Sequence, residues 1–200
     1  MLDILRLILS RVLFFYRPLI DRGFGLIYDV ERDITWLKDA NYARTVGRSP
    51  DGQLTWNAAM SWMTSLSYRG IRGWRLPTAL NPDGSGPCVG YGCDRGELGH
   101  LVFGPWTTHP NSVTYLNANP YAIYWTSTEA SDGLAYAFDF FNTRQGTLPK
   151  DPFATSPGDV RVPLSGPVLS WPVHNGDVAF MILERAFKFV VSALVRLIGR

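Results

Sequence analysis

The sequence predicts an α+β domain of short β-hairpins, one or two helices and long loops, flanked by an amphipathic helix at each end. Three observations predict it. Runs of β-branched and aromatic residues recur between turn signals, and one stretch repeats apolar residues at helical spacing. The 19 Gly and 14 Pro among 200 residues also interrupt the chain too often for long elements. With 46% hydrophobic and 18% charged residues, a chain of this length buries a sizeable core and is not disordered.

Residues 1–18 form the first expected element, an amphipathic helix. Asp3, Arg6, Ser10 and Arg17 share one side, and Leu2, Ile4, Leu5, Ile8, Leu9, Val12, Phe15 and Tyr16 share the other, with Arg11 the exception. Asp3, Arg6 and Arg11 interrupt what a signal peptide would keep apolar, and no small-x-small site precedes Asp21, so the segment reads as retained. The body, residues 19–178, opens with a hairpin: Leu26 to Asp29, a polar turn at Glu31 to Asp33, then Ile34 to Leu37, bounded by Gly25 and Asp39. Thr55 caps a helix that aligns Trp56, Ala59, Met60, Met63 and Leu66 as a core-packing stripe, and Gly70 stops it. A long irregular stretch runs from about residue 79 to Ala122, which a compact domain keeps only for a purpose. Tyr124 to Glu129 and Ala135 to Phe140 flank Asp132-Gly133, the best hairpin signal in the chain. Residues 146–167 are Pro/Gly-rich, and Leu169 to Val173 reads as a final short strand.

The last element, residues 179–200, repeats the design of the first. Glu184, Arg185, Lys188, Ser192 and Arg196 fall on one narrow arc, against a wide face of Phe180, Met181, Leu183, Phe187, Val190, Val191, Leu194, Val195 and Ile198. So wide an apolar face must meet the body, its twin helix, another subunit or a lipid surface. A membrane surface or membrane-protein partner is expected, through Leu5, Ile8, Val12, Phe15, Phe187, Val191, Leu194 and Ile198. A helical hairpin packed on itself or on neighbouring copies in a homo-oligomer is the rival.

The formal charge of +2 divides unevenly. Asp3 against Arg6, Arg11 and Arg17 gives +2 at one end, and Glu184 against Arg185, Lys188, Arg196 and Arg200 gives +3 at the other, leaving −3 between. An acidic centre argues against nucleic acid, and basic ends suit anionic headgroups. No run of 18 uncharged apolar residues offers an ordinary membrane span.

Catalytic signatures are missing from the sequence: there is no His-Glu-x-x-His, no Gly-x-Ser-x-Gly and no phosphate-binding loop. An enzyme is therefore not expected, and neither is a cofactor. Cys88 and Cys93 are separated by four residues in a glycine-rich loop, close enough for a small disulfide ring, while two free thiols are the alternative. Zinc on Cys88, Cys93 and His100 with Asp94 or Glu97 is a weaker alternative, because no second tight pair completes it.

Several motifs in one order carry a family resemblance. Gly25 to Asp29, Thr35 to Tyr42, Gly73-Trp74-Arg75-Leu76-Pro77-Thr78, Cys93 followed by Gly99-His100-Leu101, and Tyr124 to Glu129 together resemble the bacterial Lcl C-terminal domain. The resemblance spans residues 20–178. It implies a C-type-lectin-like or formylglycine-generating-enzyme-like fold and export to the periplasm or cell exterior, and hence a Cys88–Cys93 disulfide. The adhesin that names the family binds sulfated polysaccharide, so polysaccharide is the ligand class implied. This chain departs from the family at its ends, which are basic and amphipathic where a cleavable signal and a sorting tail are usual. A C-type-lectin-like fold would gather Arg75, Asp83, Asp94, Arg95, Glu97, Glu129 and Asp132 at one loop end. Trp106, Tyr115 and Tyr121 would then be available to stack on sugar faces. Arg75, Arg95 and Trp106 are the expected ligand contacts. The competing expectation for Arg75 and Glu129 is a pair that holds the fold. The functional expectation is thus a non-enzymatic, extracytoplasmic, membrane-associated polysaccharide-binding domain; the alternative is an accessory subunit docked on a membrane complex through its terminal helices.

Overall fold

A computed structural model describes residues 19–106, 115–131, 133–153 and 166–184, together with 188 and 191. It is a mixed α+β fold with two sheets and few, short helices. In chain order the elements are β1 (Leu19–Gly23), β2 (Leu26–Asp29), β3 (Ile34–Leu37), α1 (Tyr42–Thr45), α2 (Trp56–Ser65), β4 (Gly90–Tyr91) and α3 (Glu97–Leu101). A π-helical turn (Val102–Trp106) continues α3, and then come β5 (Ile123–Ser131), β6 (Leu134–Asp139), β7 (Arg144–Pro149), β8 (Val168–Leu169) and β9 (Val173–Asn175). One sheet is ordered β1-β2-β3-β9 and the other β4-β7-β6-β5-β8. Among these strands, every pairing is antiparallel except β5 with β8.

The expected hairpin is β2–β3, with Leu26 opposite Leu37 and Asp29 opposite Ile34. Buried Asp29 fixes its turn, because Oδ1 accepts the backbone N–H groups of Glu31 at 3.1 Å and Arg32 at 3.0 Å. The second expected hairpin is β5–β6, which closes with Ser131 opposite Leu134 and Gly133 at φ 81°, a conformation glycine adopts without strain. Asp132 of that turn lies outside the described residues. The capped helix also forms: Thr55 accepts the Ala58 N–H at 3.3 Å at the head of α2. Thr55→Ala is expected to cost about 1 kcal/mol, read as a lower midpoint in urea denaturation.

Consecutive residues of the strands serve two different cores. Leu26, Leu37, Trp125, Ala137 and Val168 point to a core with Trp56, Ala59, Trp62 and Met63 of α2. Their chain neighbours Ile27, Trp36, Tyr124, Phe138 and Leu169 point to a second core with Leu98 and Leu101 of α3, and Trp171. The period of two therefore loads both faces, which is why β3 is buried at all four positions.

The expected strand from Leu169 to Val173 is divided. β8 joins the five-stranded sheet and β9 the four-stranded one, with Ser170, Trp171 and Pro172 crossing between them. Pro172 lacks the N–H a continuous ladder needs, and its carbonyl instead accepts the Leu37 N–H at 3.0 Å. The crossing buries Trp171 against Trp36, Tyr115 and Tyr124, at ring-centroid distances of 5.2, 4.8 and 5.3 Å.

Burial pushes the Tyr124 phenol from 10.0 up to about 12, and its oxygen accepts the Asn119 N–H at 3.1 Å. Desolvation disfavours the phenolate in the folded state only, so the unfolded chain deprotonates first. The resulting stability is present below pH 10 and is lost as pH rises toward 12. Urea midpoints across that interval are expected to fall less for Tyr124→Phe than for the parent.

The N-terminal helix expected over residues 1–18 lies outside the described residues, and with it Leu5, Ile8, Val12 and Phe15. At the other end residues 179–184 are helical. Asp177 starts this helix by accepting the Ala179 N–H at 3.3 Å through Oδ1, while its Oδ2 holds Arg22 of β1 at 2.5 Å. Val178, Ala179 and Ile182 pack on the first core, whereas Phe180, Met181, Leu183 and Val191 are exposed. Glu184 and Lys188 pair at 2.7 Å across one turn. The side chains of Phe187, Leu194 and Ile198 lie outside the described residues. Among the described residues, no helix is long and apolar enough to cross a membrane.

Candidate functional site

The Gly73 to Thr78 segment is a seam between layers. Its backbone bonds Val173 of β9 through both Arg75 groups at 2.9 Å, and the Pro77 carbonyl accepts the Ser127 N–H of β5 at 2.7 Å. The Thr78 N–H reaches Glu97 of α3 at 2.8 Å. Arg75 completes the seam with its side chain. Nη1 and Nη2 each donate to Glu97 at 2.7 Å, Nη1 also donates to the Leu76 carbonyl at 3.1 Å, and Nε and Nη2 donate to Asn175 at 2.9 and 2.7 Å. A guanidinium has five N–H groups, and this one uses all of them inside the fold. Arg75 is thus placed as a scaffold group with no donor left for a ligand. Its carboxylate partner is Glu97, while Glu129 pairs with Lys150.

The irregular stretch that follows is organised by the disulfide. Cys88 and Cys93 are joined, with Cα atoms 5.6 Å apart. The loop they close carries β4, which adds to the edge of the five-stranded sheet as Gly90 opposite Gln145 and Tyr91 opposite Arg144. Buried Gln145 anchors the loop from below by donating to the Cys88 carbonyl at 2.7 Å. α3 then leaves the loop so closely that a Cβ on Gly99 would sit 1.8 Å from the Cys93 carbonyl oxygen. Two expectations follow. Replacing both cysteines with serine should cost about 2 kcal/mol, as expected for so short a closed loop. Gly99→Ala should cost about 1–3 kcal/mol through overpacking, seen as a lowered thermal midpoint in the oxidised protein.

Arg95 lies at the surface beside this loop and pairs with Asp83 at 3.0 Å, with more than half of each side chain in water. Hydrogen bonds from Ser85 and from Arg95 hold the Asp83 carboxyl at about 2. A pair so exposed is worth little, so Arg95 can exchange its partner for a ligand. Asp94 is exposed as well. The side chain of Trp106 lies outside the described residues. Tyr115 is turned inward onto Trp171, and burial raises its phenol well above the usual value. It is therefore a packing group and not a stacking surface. Tyr121 is exposed, and its ring lies 5.3 Å from that of Phe141 at 35°. The structure also places Tyr91 in water, with the Arg144 guanidinium 5.8 Å from its ring centroid.

Among the described residues, a buried acid–base pair joins β2 to α3. Asp29 Oδ2 faces His100 Nε2 of α3 at 3.4 Å, with Glu31 at 4.0 Å on the solvent side. A carboxylate beside an imidazole can orient a general base, but that chemistry needs the ring within reach of a substrate proton. Asp29 is 1% exposed and His100 8%, so the pair serves packing between β2 and α3. With Cys88 and Cys93 joined, the thiolates of the zinc alternative are consumed. No group of three or more His, Cys, Asp or Glu among the described residues is placed to hold a metal ion.

No protein-family model, curated protein or solved structure matches the chain. The class that fold and surface define is a mixed α+β scaffold with a disulfide-pinned loop, water-facing aromatic rings and an exposed apolar helix face.

Proposed function

We propose that this chain is a non-enzymatic, extracytoplasmic domain of the Lcl C-terminal type, C-type-lectin-like in fold, that binds polysaccharide and associates with a membrane surface. The observation that carries the reading is the set of aromatic rings held in water along one end of the five-stranded sheet, Tyr91 on the disulfide-pinned edge strand at 72% exposure and Phe141 and Tyr121 on the β5 side at 59% and 58%. Rings with polar groups between them suit carbohydrate, whose C–H faces pack on rings while the hydroxyls hydrogen-bond. The disulfide supports an oxidising compartment. Membrane association is supported by Phe180, Met181, Leu183 and Val191, a water-facing apolar strip on a helix whose sequence is basic. Arg95 and Trp106 remain proposed ligand contacts.

The second reading, an accessory subunit docked on a membrane complex, draws on that same helix face. Retention of the full chain, in mild detergent, on columns of immobilised neutral and acidic polysaccharide tests the first reading. Retention on any of them is expected. Passage through all of them, together with stoichiometric co-purification of a membrane protein, would replace it with the second.

A further inference from the structure

We infer that the end of the five-stranded sheet is a stacking strip for a linear, neutral polysaccharide. The inference rests on the polysaccharide reading above and names the site and the ligand chemistry. The register sets the geometry. Tyr91 of β4 is opposite Arg144 of β7, Arg144 is opposite Asp139 of β6, and Asp139 is opposite Ile123 of β5. Residues paired in this way share one face of a sheet, so the four form a single cross-strand row, exposed at Tyr91 and Arg144, half-buried at Asp139 and ending on Ile123, which is packed in the first core.

Exposed rings stand at both ends of the row. Tyr91 occupies the β4 end. At the β5 end Tyr121, two residues before Ile123, meets Phe141 of the β6–β7 turn. Three strand spacings separate these ends, about 14 Å. One sugar ring cannot cover both, whereas an extended chain can. The interval is polar: Asn142 donates to both oxygens of Asp139 at 2.8 and 3.1 Å, and Arg144 lies beside them in register. Rings at the ends with hydrogen-bonding groups between match a chain that alternates apolar faces with hydroxyl edges.

A protein partner is a poorer fit. A stable protein interface needs a continuous core depleted in charge, roughly 800 Å² on each side, and here charged groups divide the aromatic area. The charges also select the polymer. Among the described residues Arg144 pairs with no carboxylate, but Asp139 stands next to it in the row. A polyanion would gain from Arg144 and be opposed by Asp139, so the strip favours an uncharged chain read by stacking and hydroxyl contacts.

Affinity electrophoresis of the full chain in mild detergent tests this, with soluble glucan, mannan and xylan as neutral probes and polygalacturonate as the acidic one. At least one neutral polymer is expected to retard the protein equally at roughly 0.05 M and 0.5 M salt. Tyr91→Ala and Phe141→Ala should each weaken that retardation about tenfold, and Tyr91→Phe should not. Six-residue fragments of the retarding polymer should compete far better than two-residue fragments. An unchanged thermal midpoint in these surface variants excludes misfolding as the cause. Undiminished retardation in both alanine variants, or retardation by polygalacturonate alone that salt abolishes, overturns the strip and leaves the polysaccharide reading standing. No retardation of the parent by any polymer overturns both.

Discussion

Trp171→Ala is expected to lower the unfolding free energy by about 3–5 kcal/mol, the largest effect of any single truncation considered. Three properties combine at this residue. It is fully buried, it packs against Trp36, Tyr115, Tyr124 and Phe140, and its indole N–H donates to the Leu37 carbonyl at 2.7 Å. The alanine variant would leave a cavity where the chain crosses from one sheet to the other, together with a carbonyl deprived of its donor. For a chain of this size the thermal midpoint should fall by on the order of 10 °C. Trp171→Phe, which keeps most of the volume and loses the N–H, should recover more than half of that. If the two variants melt together, the hydrogen bond outweighs the packing and the stated cause is wrong.

Glu97→Ala is the second large effect, expected at about 2–4 kcal/mol. It strands the Arg75 guanidinium, whose side chain is 29% exposed, and orphans the Thr78 N–H that Glu97 accepts at 2.8 Å. Breaking a fully buried ion pair costs about 3–5 kcal/mol, and partial exposure of Arg75 reduces that. Arg75→Ala should be of similar size, and the double variant should cost much less than the two combined, because each single change already removes both hydrogen bonds between the pair. Arg75→Lys should not rescue, since an ammonium cannot reproduce the fork that grips Glu97 and Asn175 together. Additive effects would mean that Arg75 and Glu97 act separately and that the seam is not one unit. The Trp74-Arg75-Leu76-Pro77 run thus has a part in assembling this seam.

What the sequence discloses depends on how local the cause is. The β2–β3 and β5–β6 hairpins and the capped α2 are legible because alternation, turn residues and the Thr55 cap each act within a few positions. α3 is hidden because its five residues include Gly99, a poor helix former required there by the approach to Cys93. β7, reading Arg-Gln-Gly-Thr-Leu-Pro, has little β-propensity and is held by β6 and β4 on its two sides. The division of residues 168–175 between two sheets is a tertiary event that no local pattern announces. The same holds for the candidate site. Phe140 and Phe141 are identical neighbours, yet the first is buried on Tyr124 and the second stands in water beside Tyr121. Tyr121 is named from the sequence among the rings available for stacking, whereas Tyr91, Phe141 and Arg144 emerge only once the register of β4, β7 and β6 is known.

The proposed polysaccharide-binding surface is tested most directly by a glycan array probed with the purified, oxidised chain. Binding confined to glycans of several residues, with neutral chains among them, and loss of that signal in Tyr91→Ala are expected. An array without signal, obtained from a preparation that retains its folded thermal transition, would contradict the proposal.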